Sequence, residues 1–377
     1  MIFAIIYKRV KNFGEYVIKL NTLKSNAKIY KEKIGDKKIC AVVKADAYGI
    51  GIENVVPQIE SFVDAFAVAN FDEAKKVQKY SNKQIFILNF VPLQNLGECQ
   101  NCNFCISVSS FQELKSIVCV LKKNKTSCGM RQKISFAINT GMNRLGFSDV
   151  AEFERCLRYA KKNKKYILPI SIFSHIYNSQ SKRLSTIQNC IFMQYLKVFK
   201  KHFDISKIAI HLLASEASLR YPNFAYDMTR PGILLYCNFD GKGIFEDTIE
   251  VHSKIVAINK VMAGKSVGYG QNFIAKKNMV VATIPIGYAD GIFRSYSKNG
   301  KLLCHGKFCK IVGNICMDML MIDISNVADA KLFDKVTLVG KNGKKEISIF
   351  QMSRWCGTIP YEILTSLKKT RFDILFK

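Results

Sequence analysis

A lysine at the end of an apolar run is the first residue of this chain whose setting suggests chemistry. Ala41-Val42-Val43 reads as a buried strand, and Lys44 follows it in the segment AVVKADAYGIG that runs from Ala41 to Gly51. An amine held where a strand leaves the core is partly desolvated, which lowers its pKa, and the neutral amine can form a Schiff base with a carbonyl. Taken alone, a strand-end lysine is more often a solvated charge. A second group of interest is Cys99, Cys102 and Cys105, spaced by three, with Cys119 and Cys128 further on. That spacing resembles the start of an iron–sulfur run, which continues with another Cys followed by Pro. Here Ile106-Ser107-Val108-Ser109 follows, so isolated thiols, and no metal, are expected.

The elements that must position Lys44 follow from periodicity. Cys40–Val43, Ala65–Ala69, Gln84–Leu88, Ile134–Ile138, Ile170–Phe173 and Ile208–Ile210 read as short apolar strands. Between them, segments such as Phe71–Tyr80 and Phe111–Lys122 place apolar residues at helical spacing. Strands alternating with helices imply a parallel sheet, and about eight such units suit a (β/α)8 TIM barrel, whose strand ends form the active-site mouth. After Phe239 the runs Val280–Ile284, Lys310–Val312 and Lys335–Val339, joined by Asn299-Gly300 and Asn342-Gly343, predict a mostly β domain. The expected division is a barrel over 12–239 and a β domain over 240–377, with a strand in 1–11 available to join the latter.

Composition bounds the class. The 377 residues carry 57 Lys+Arg against 29 Asp+Glu, a net charge of +28, yet 49% are hydrophobic, which excludes a disordered chain. The charge invites a nucleic-acid reading, but no RNP or zinc-finger module is present. The runs Lys122-Lys123-Asn124-Lys125 and Lys161–Lys165 lack interleaved aromatics, so no nucleic-acid partner is expected. No stretch reaches the ~18 apolar residues of a membrane span. Met1–Tyr7 is too short for a signal-peptide core and reads as a first β-strand. Thirteen Cys without a secretion signal read as reduced thiols of a cytoplasmic protein.

The segment around Lys44 resembles the pyridoxal-phosphate lysine segment of the alanine racemase family, close to AVVKADAYGHG, with Ile50 where His is usual. Further segments match in order. Asn139–Phe147 is similar to the family's DTGMxRLGF loop, and Phe173-Ser174-His175 to its THF segment. His211–Ser218 and Arg230-Pro231-Gly232-Ile233 resemble HxANSA…RPGI. Ser266–Gly270 and Ile286–Gly291 resemble VSYG…GYADG, Gly313–Asp318 resembles GRVCMD, and Ile359–Glu362 the late YE signature. The resemblance implies a homodimeric, pyridoxal 5'-phosphate-dependent isomerase that interconverts L- and D-alanine and supplies D-alanine for peptidoglycan. It implies two bases, Lys44, which also holds the cofactor, and Tyr269. A Tyr, with a pKa ordinarily near 10, needs help as a base, and the family supplies it from His175 with Arg230 behind it. Arg230 would face the pyridine nitrogen and keep it unprotonated, which favours prompt reprotonation over side reactions. Tyr48, Ser215, Gly232, Ile233 and Tyr361 would hold the phosphate, and Arg144 with Met317 of a partner chain the substrate carboxylate.

The pattern also breaks. A Lys that many members carry seven residues before Arg144 is Ala137 here, the Asp of DTG is Asn139, the Asn of ANS is Ala214, and Glu216 follows Ser215. Gln180 and Asn314 replace an Asp and an Arg of the entry channel, Arg294 is kept, and the C-terminal RVPR run is reduced to Arg371-Phe372-Asp373-Ile374. These changes touch substrate anchoring and imply an Arg144 held by a bound anion or another side chain. Two alternatives accompany the resemblance: a racemase of broader or different amino-acid specificity, and a non-catalytic pyridoxal-phosphate-binding protein.

Overall fold

A computed structural model describes residues 14–123 and 130–377. The strand expected in Met1–Tyr7, Cys128, and Asn124-Lys125 of one basic run lie outside the described residues. The chain divides into two compact units. Ala27–Ala47 and Gly51–Leu234 form one; Tyr48–Ile50, Leu235–Lys377 and the described residues up to Asn26 form the other.

The first unit carries eight parallel strands: β2 (Lys38–Val42), β3 (Ala65–Val68), β4 (Gln84–Ile87), β5 (Cys105–Val108), β6 (Gln132–Ala137), β7 (Ile167–Phe173), β8 (Ala209–His211) and β9 (Met228–Thr229). Successive strands pair from β2 to β8, and β9 pairs with β2. Asp227 N–H donates to Ile210 O at 3.0 Å and a bridge joins Ala214 to Arg230, so the ring nearly closes. Most strand residues are buried, as a parallel sheet covered by helices requires, and this explains their unbroken apolar runs. The helices α1 (Leu20–Ile34), α2 (Ile52–Ile59), α3 (Phe71–Gln78), α4 (Leu96–Asn101), α5 (Phe111–Lys123), α6 (Val150–Lys162), α7 (Lys182–Lys200) and α8 (Ser215–Arg220) alternate with the strands. Their starts are chemically marked: Asn70, Asp149 and Ser181 accept the first free N–H groups of α3, α6 and α7. Phe136, Phe147, Phe153 and Phe199 pack as an aromatic cluster between β6 and these helices.

The second unit has β1 (Glu15–Ile18), β10 (Ile249–Lys254), β13 (Lys301–Cys304), β14 (Lys307–Lys310), β16 (Lys335–Asn342) and β18 (Asp373–Phe376) in the order β14-β13-β16-β10-β1-β18, with β17 (Lys345–Ile347) on β16. A separate sheet joins β11 (Ala257–Val261), β12 (Met279–Ile284) and β15 (Leu320–Asp323). Helices α9 (Tyr296–Asn299), α10 (Ile349–Cys356) and α11 (Pro360–Ser366) complete it. The strand contributed from the start of the chain is Glu15–Ile18, antiparallel to β10 and parallel to β18.

Two readings are corrected. Lys310–Val312 is not a strand, because β14 ends at Lys310 and only an isolated bridge joins Ile311 to Ile322. Cys105–Val108, read above only as the interruption of a cysteine run, is the barrel strand β5. Cys99 lies on α4 and Cys105 on β5; both are buried, and burial pushes the Cys99 thiol up to about 12. Among the described residues no His, Cys, Asp and Glu group could hold a metal, and no helix is long and apolar enough to cross a membrane.

Candidate active site

Strand β2 delivers Lys44 to the carboxyl end of the barrel. The chain then makes a left-handed turn, with Ala45, Asp46, Ala47 and Tyr48 at φ of 54°, 53°, 52° and 56°. Each such non-glycine residue costs about 1–2 kcal/mol, so its surroundings must hold the turn. Ala47 N–H donates to Val43 O at 2.9 Å and Gly51 N–H to Asp46 O at 2.8 Å. Glu73 pins the start of the turn: Oε1 accepts from Ala45 N–H at 2.7 Å and Oε2 from Ala69 N–H at 2.8 Å. Lys44 is exposed by accessible area, and partial desolvation at the strand end, then the Arg144 charge, lower its pKa, with Glu73 opposing. A larger share of neutral amine results.

Behind the lysine sits a buried cation. Arg230 Nη1 donates to His211 O at 3.0 Å and to His211 Nδ1, while Nη2 donates to Ser174 O at 2.5 Å and Leu212 O at 3.3 Å. The guanidinium also lies 5.4 Å from the Phe173 ring. Among the described residues these bonds leave Nε over. Burial pushes the guanidinium down to about 10, so it stays charged at neutral pH. Since arginine only donates, His211 Nδ1 must accept. The proton is therefore on Nε2, which donates to Ser171 Oγ at 2.6 Å. Burial and the adjacent Arg230 hold this imidazole well below its ordinary pKa, and it is neutral.

His175 follows β7. Gln188 of α7 donates to His175 O and to Thr140 Oγ1, both at 2.9 Å. Thr140 Oγ1 lies 2.8 Å from Ser174 Oγ, which donates to Ile138 O at 2.7 Å. The His175 backbone is thus tied to the loop that carries Arg144. Burial, followed by the charges of Arg230, Arg144 and Lys44, pushes the His175 imidazole down to about 3. Three cations therefore converge on one neutral ring. In the Arg144 loop, Asn139 Oδ1 accepts from Gly141 and Asn143 N–H, and its Nδ2 donates to Ser148 Oγ at 2.8 Å, a contact an aspartate could keep only by accepting from the hydroxyl. Gly146, at φ 110°, is required because a Cβ there would lie 2.7 Å from Asn139 N. Arg144 is exposed and makes no ion pair among the described residues.

Gly232 N–H donates to Ser215 Oγ at 2.9 Å, and Ile233 beside it is buried. Ser215 opens α8, and Glu216 next to it accepts from Ser179 Oγ at 2.5 Å, from Gln180 and from Arg220 Nε at 2.7 Å.

The second unit holds the remaining candidates. Tyr48 stacks on Tyr236 at 4.5 Å and meets Tyr361 at 6.0 Å. Gly49, at φ 81°, allows this approach to α11, since a Cβ would lie 2.6 Å from Leu364 O. Tyr269 is 73% exposed, its carbonyl accepting from Asn314 Nδ2 at 3.1 Å. Met317 is 55% exposed, its carbonyl accepting from Ala289 N–H at 2.9 Å. Arg371, left from the reduced C-terminal run, pairs with Asp290 at 3.0 Å and Asp318 at 2.7 Å, beside Met317 in sequence.

Lys44, Arg144, His175 and Arg230 are thus brought together, as are Ser215 with Gly232 and Tyr48 with Tyr361, while Tyr269 and Met317 stand on exposed turns. Sequence reasoning missed Glu73, Ser171 and Gln188, and treated His211 only as the first residue of a motif. Asn70 three residues before Glu73 is a helix-start signal that marks Glu73 as a first-turn carboxylate.

The family described as "Alanine racemase, N-terminal domain" matches residues 18–238, and "Alanine racemase, C-terminal domain" matches residues 248–374. Alanine racemase 2 of Caldanaerobacter subterraneus subsp. tengcongensis is 31% identical over 363 residues, covering 93% of this chain and 92% of that protein. Among solved structures, alanine racemase of Clostridium difficile 630 aligns with a TM-score of 0.84 at 28% identity over 98% of this chain and 97% of its own. That of Bartonella henselae, solved with covalently bound pyridoxal phosphate, gives 0.86 at 24% identity over 97% and 99%. With both domains matched in order across nearly its whole length, this chain belongs to the alanine racemase family.

Proposed function

We propose that this chain interconverts L- and D-alanine with pyridoxal 5'-phosphate as a homodimer, using Lys44 and Tyr269 as the two bases. The observation that carries the proposal is the convergence of Lys44, Arg144 and Arg230 on His175 at the barrel mouth. The residues fit the cofactor: an amine of lowered pKa suits its aldehyde, and the contact between Gly232 N–H and Ser215 Oγ places a backbone donor and a hydroxyl side by side for its phosphate. Ile233 would add to this contact, and Tyr48 with Tyr361 are the other phosphate residues that the family resemblance implies. When bound, the cofactor supplies the aldehyde that takes up the substrate amine and the electron sink that lets the α-proton leave.

The protein's own part is proton handling and charge placement. Lys44 Nζ, held as neutral amine more readily than a free lysine, takes or returns the proton on one face. Tyr269 Oη serves the opposite face; its exposure suits a residue that completes the site of a second copy, as does that of Met317. Arg230 keeps its proton and would meet the cofactor's ring nitrogen with a donor, which would leave that nitrogen unprotonated and the electron sink weak. His211, neutral with Nδ1 as acceptor, holds the guanidinium in place. His175 stays neutral and orients Tyr269, and Arg144 binds the substrate carboxylate. Production of D-alanine for peptidoglycan in the cytoplasm is the corresponding role.

Purified holoprotein should racemise either alanine enantiomer, and borohydride reduction followed by peptide mass mapping should place the cofactor on Lys44. Lys44→Ala should lose both the label and the activity. A loaded wild type that leaves both enantiomers unchanged overturns the proposal. Ala137, at the end of β6 where many relatives carry a lysine, supports a second reading in which the carboxylate site accepts more than alanine. Turnover of serine or lysine at rates near that of alanine supports it, and alanine alone being turned over efficiently rejects it.

A further inference from the structure

The reaction uses few of the chain's basic residues, and part of the +28 excess is gathered around a cavity in the second unit. Between Asp290 and Asp318 the sequence holds five basic residues and no acidic one. Three of these, Lys298 on α9, Lys301 on β13 and Lys310 on β14, line a cavity of about 570 Å³ together with Arg354, Gln351 and Trp355 of α10. That volume is in the range of small-molecule sites. No Asp or Glu lines it, and among the described residues none of the four cations forms an ion pair.

The charges are not scattered by chance of exposure. Lys301 and Lys310 are directly opposite each other in the antiparallel β13–β14 pair, a position where like charges are destabilising. Lys298 precedes the strand by one short turn, and Arg354 faces the same space from α10. Trp355, the single tryptophan of the chain, lies 6.2 Å from Tyr296 and 6.4 Å from Phe308 between ring centroids, which fixes the indole in the wall. Four cations held around one concave space without a counter-charge leave a field that a compact polyanion would neutralise.

We infer that this cavity is a binding site for a small molecule bearing clustered phosphate groups, separate from the residues assigned to racemisation. Guanidinium and ammonium donors suit phosphate oxygens, and Gln351 adds a neutral donor at the same wall. The phosphates could come from an inorganic polyphosphate or a nucleoside triphosphate. The holoenzyme tests this through Trp355 fluorescence, titrated with inorganic tripolyphosphate and with ATP at physiological ionic strength. A saturable change at one equivalent per chain is expected, weakened by about tenfold or more in Lys310→Glu and in Arg354→Glu, each a surface change that leaves alanine racemisation intact. Equal affinities assign recognition to the phosphates alone; tighter ATP binding adds its ring. Either result supports the site. A change that never saturates, a stoichiometry above one that both variants retain, or a response only to RNA or acidic vesicles overturns it, the last by assigning the charge to a macromolecular surface. Racemisation is read in the same samples, so failure of this site is distinguishable from failure of the proposed reaction.

Discussion

Arg230 Nη1 donates to His211 Nδ1, and this contact fixes the protonation of both residues. The guanidinium cannot accept, so the imidazole must, and its remaining proton is committed to Ser171 Oγ. A buried cation is thereby held by a neutral ring and three backbone carbonyls rather than by a carboxylate. A carboxylate there would neutralise the guanidinium; neutral acceptors leave its positive charge uncompensated inside the barrel.

Replacing His211 by Leu leaves a buried guanidinium N–H without its acceptor. Urea unfolding should show a loss of about 1–3 kcal/mol. Ser171→Ala, which removes only the partner of Nε2–H, should cost about 1 kcal/mol. Equal stability of His211→Leu and wild type would mean that the bond does not hold Arg230.

The left-handed turn after Lys44 carries a cost that glycine can relieve. Ala45 sits at φ 54° and is exposed, so Ala45→Gly removes a Cβ–carbonyl clash at the price of chain entropy. A net stabilisation of up to about 1 kcal/mol is expected from denaturant titration. A destabilised Ala45→Gly would show that the surroundings, chiefly Glu73, already compensate the strain.

Asp247 gives the pH dependence a definite sign. Its carboxylate accepts from Asn238 N–H at 3.0 Å and Ile349 N–H at 2.8 Å, yet burial outweighs these bonds and pushes its pKa from 3.8 up to about 6. The protonated form is thus favoured in the fold. Its contribution is complete below about pH 4 and is lost as pH rises through about 6, some ~3 kcal/mol in all. Thermal melts of Asp247→Asn should therefore gain on wild type between pH 4 and pH 7 and run parallel above that. A gap that is constant with pH would refute the shift.

Much of this was legible in the chain itself, for physical reasons. A strand buried on both faces must be apolar throughout, so β2, β3, β4, β6 and β7 announced themselves. The two-residue β9 carries too little pattern to be seen, and β5 was masked by the spacing of its cysteine. Lys44, His175 and Arg230 were found because each is embedded in a string of neighbours. Glu73, Ser171 and Gln188 were not, because each also bonds a residue far along the chain (Ala45, His211 and Thr140), and such a bond leaves no trace in local sequence. The position of Glu216 was visible as a departure, but its partners were not.

Those partners make Glu216 the most testable of the departures. Its carboxylate gathers Ser179 and Gln180, from the loop between β7 and α7, onto Arg220 and the first turn of α8. Arg220 closes the group by donating to Gln180 Oε1 at 3.0 Å, and Tyr221 Oη donates to Ser179 O at 2.7 Å. The helix so clamped begins at Ser215, whose hydroxyl receives Gly232 N–H. Releasing the clamp should loosen the end of the site proposed to hold the phosphate more than the end proposed to move protons. Glu216→Ala is expected to weaken cofactor binding by roughly tenfold, the worth of one charge-assisted hydrogen bond, while kcat at saturating cofactor changes little. Glu216→Gln, which can still accept from Ser179 or Arg220, should recover part of the affinity. Cofactor titrations of the two variants decide it: unchanged affinity in Glu216→Ala, or a fall in kcat that added cofactor does not restore, would show that the clamp does not act through Ser215.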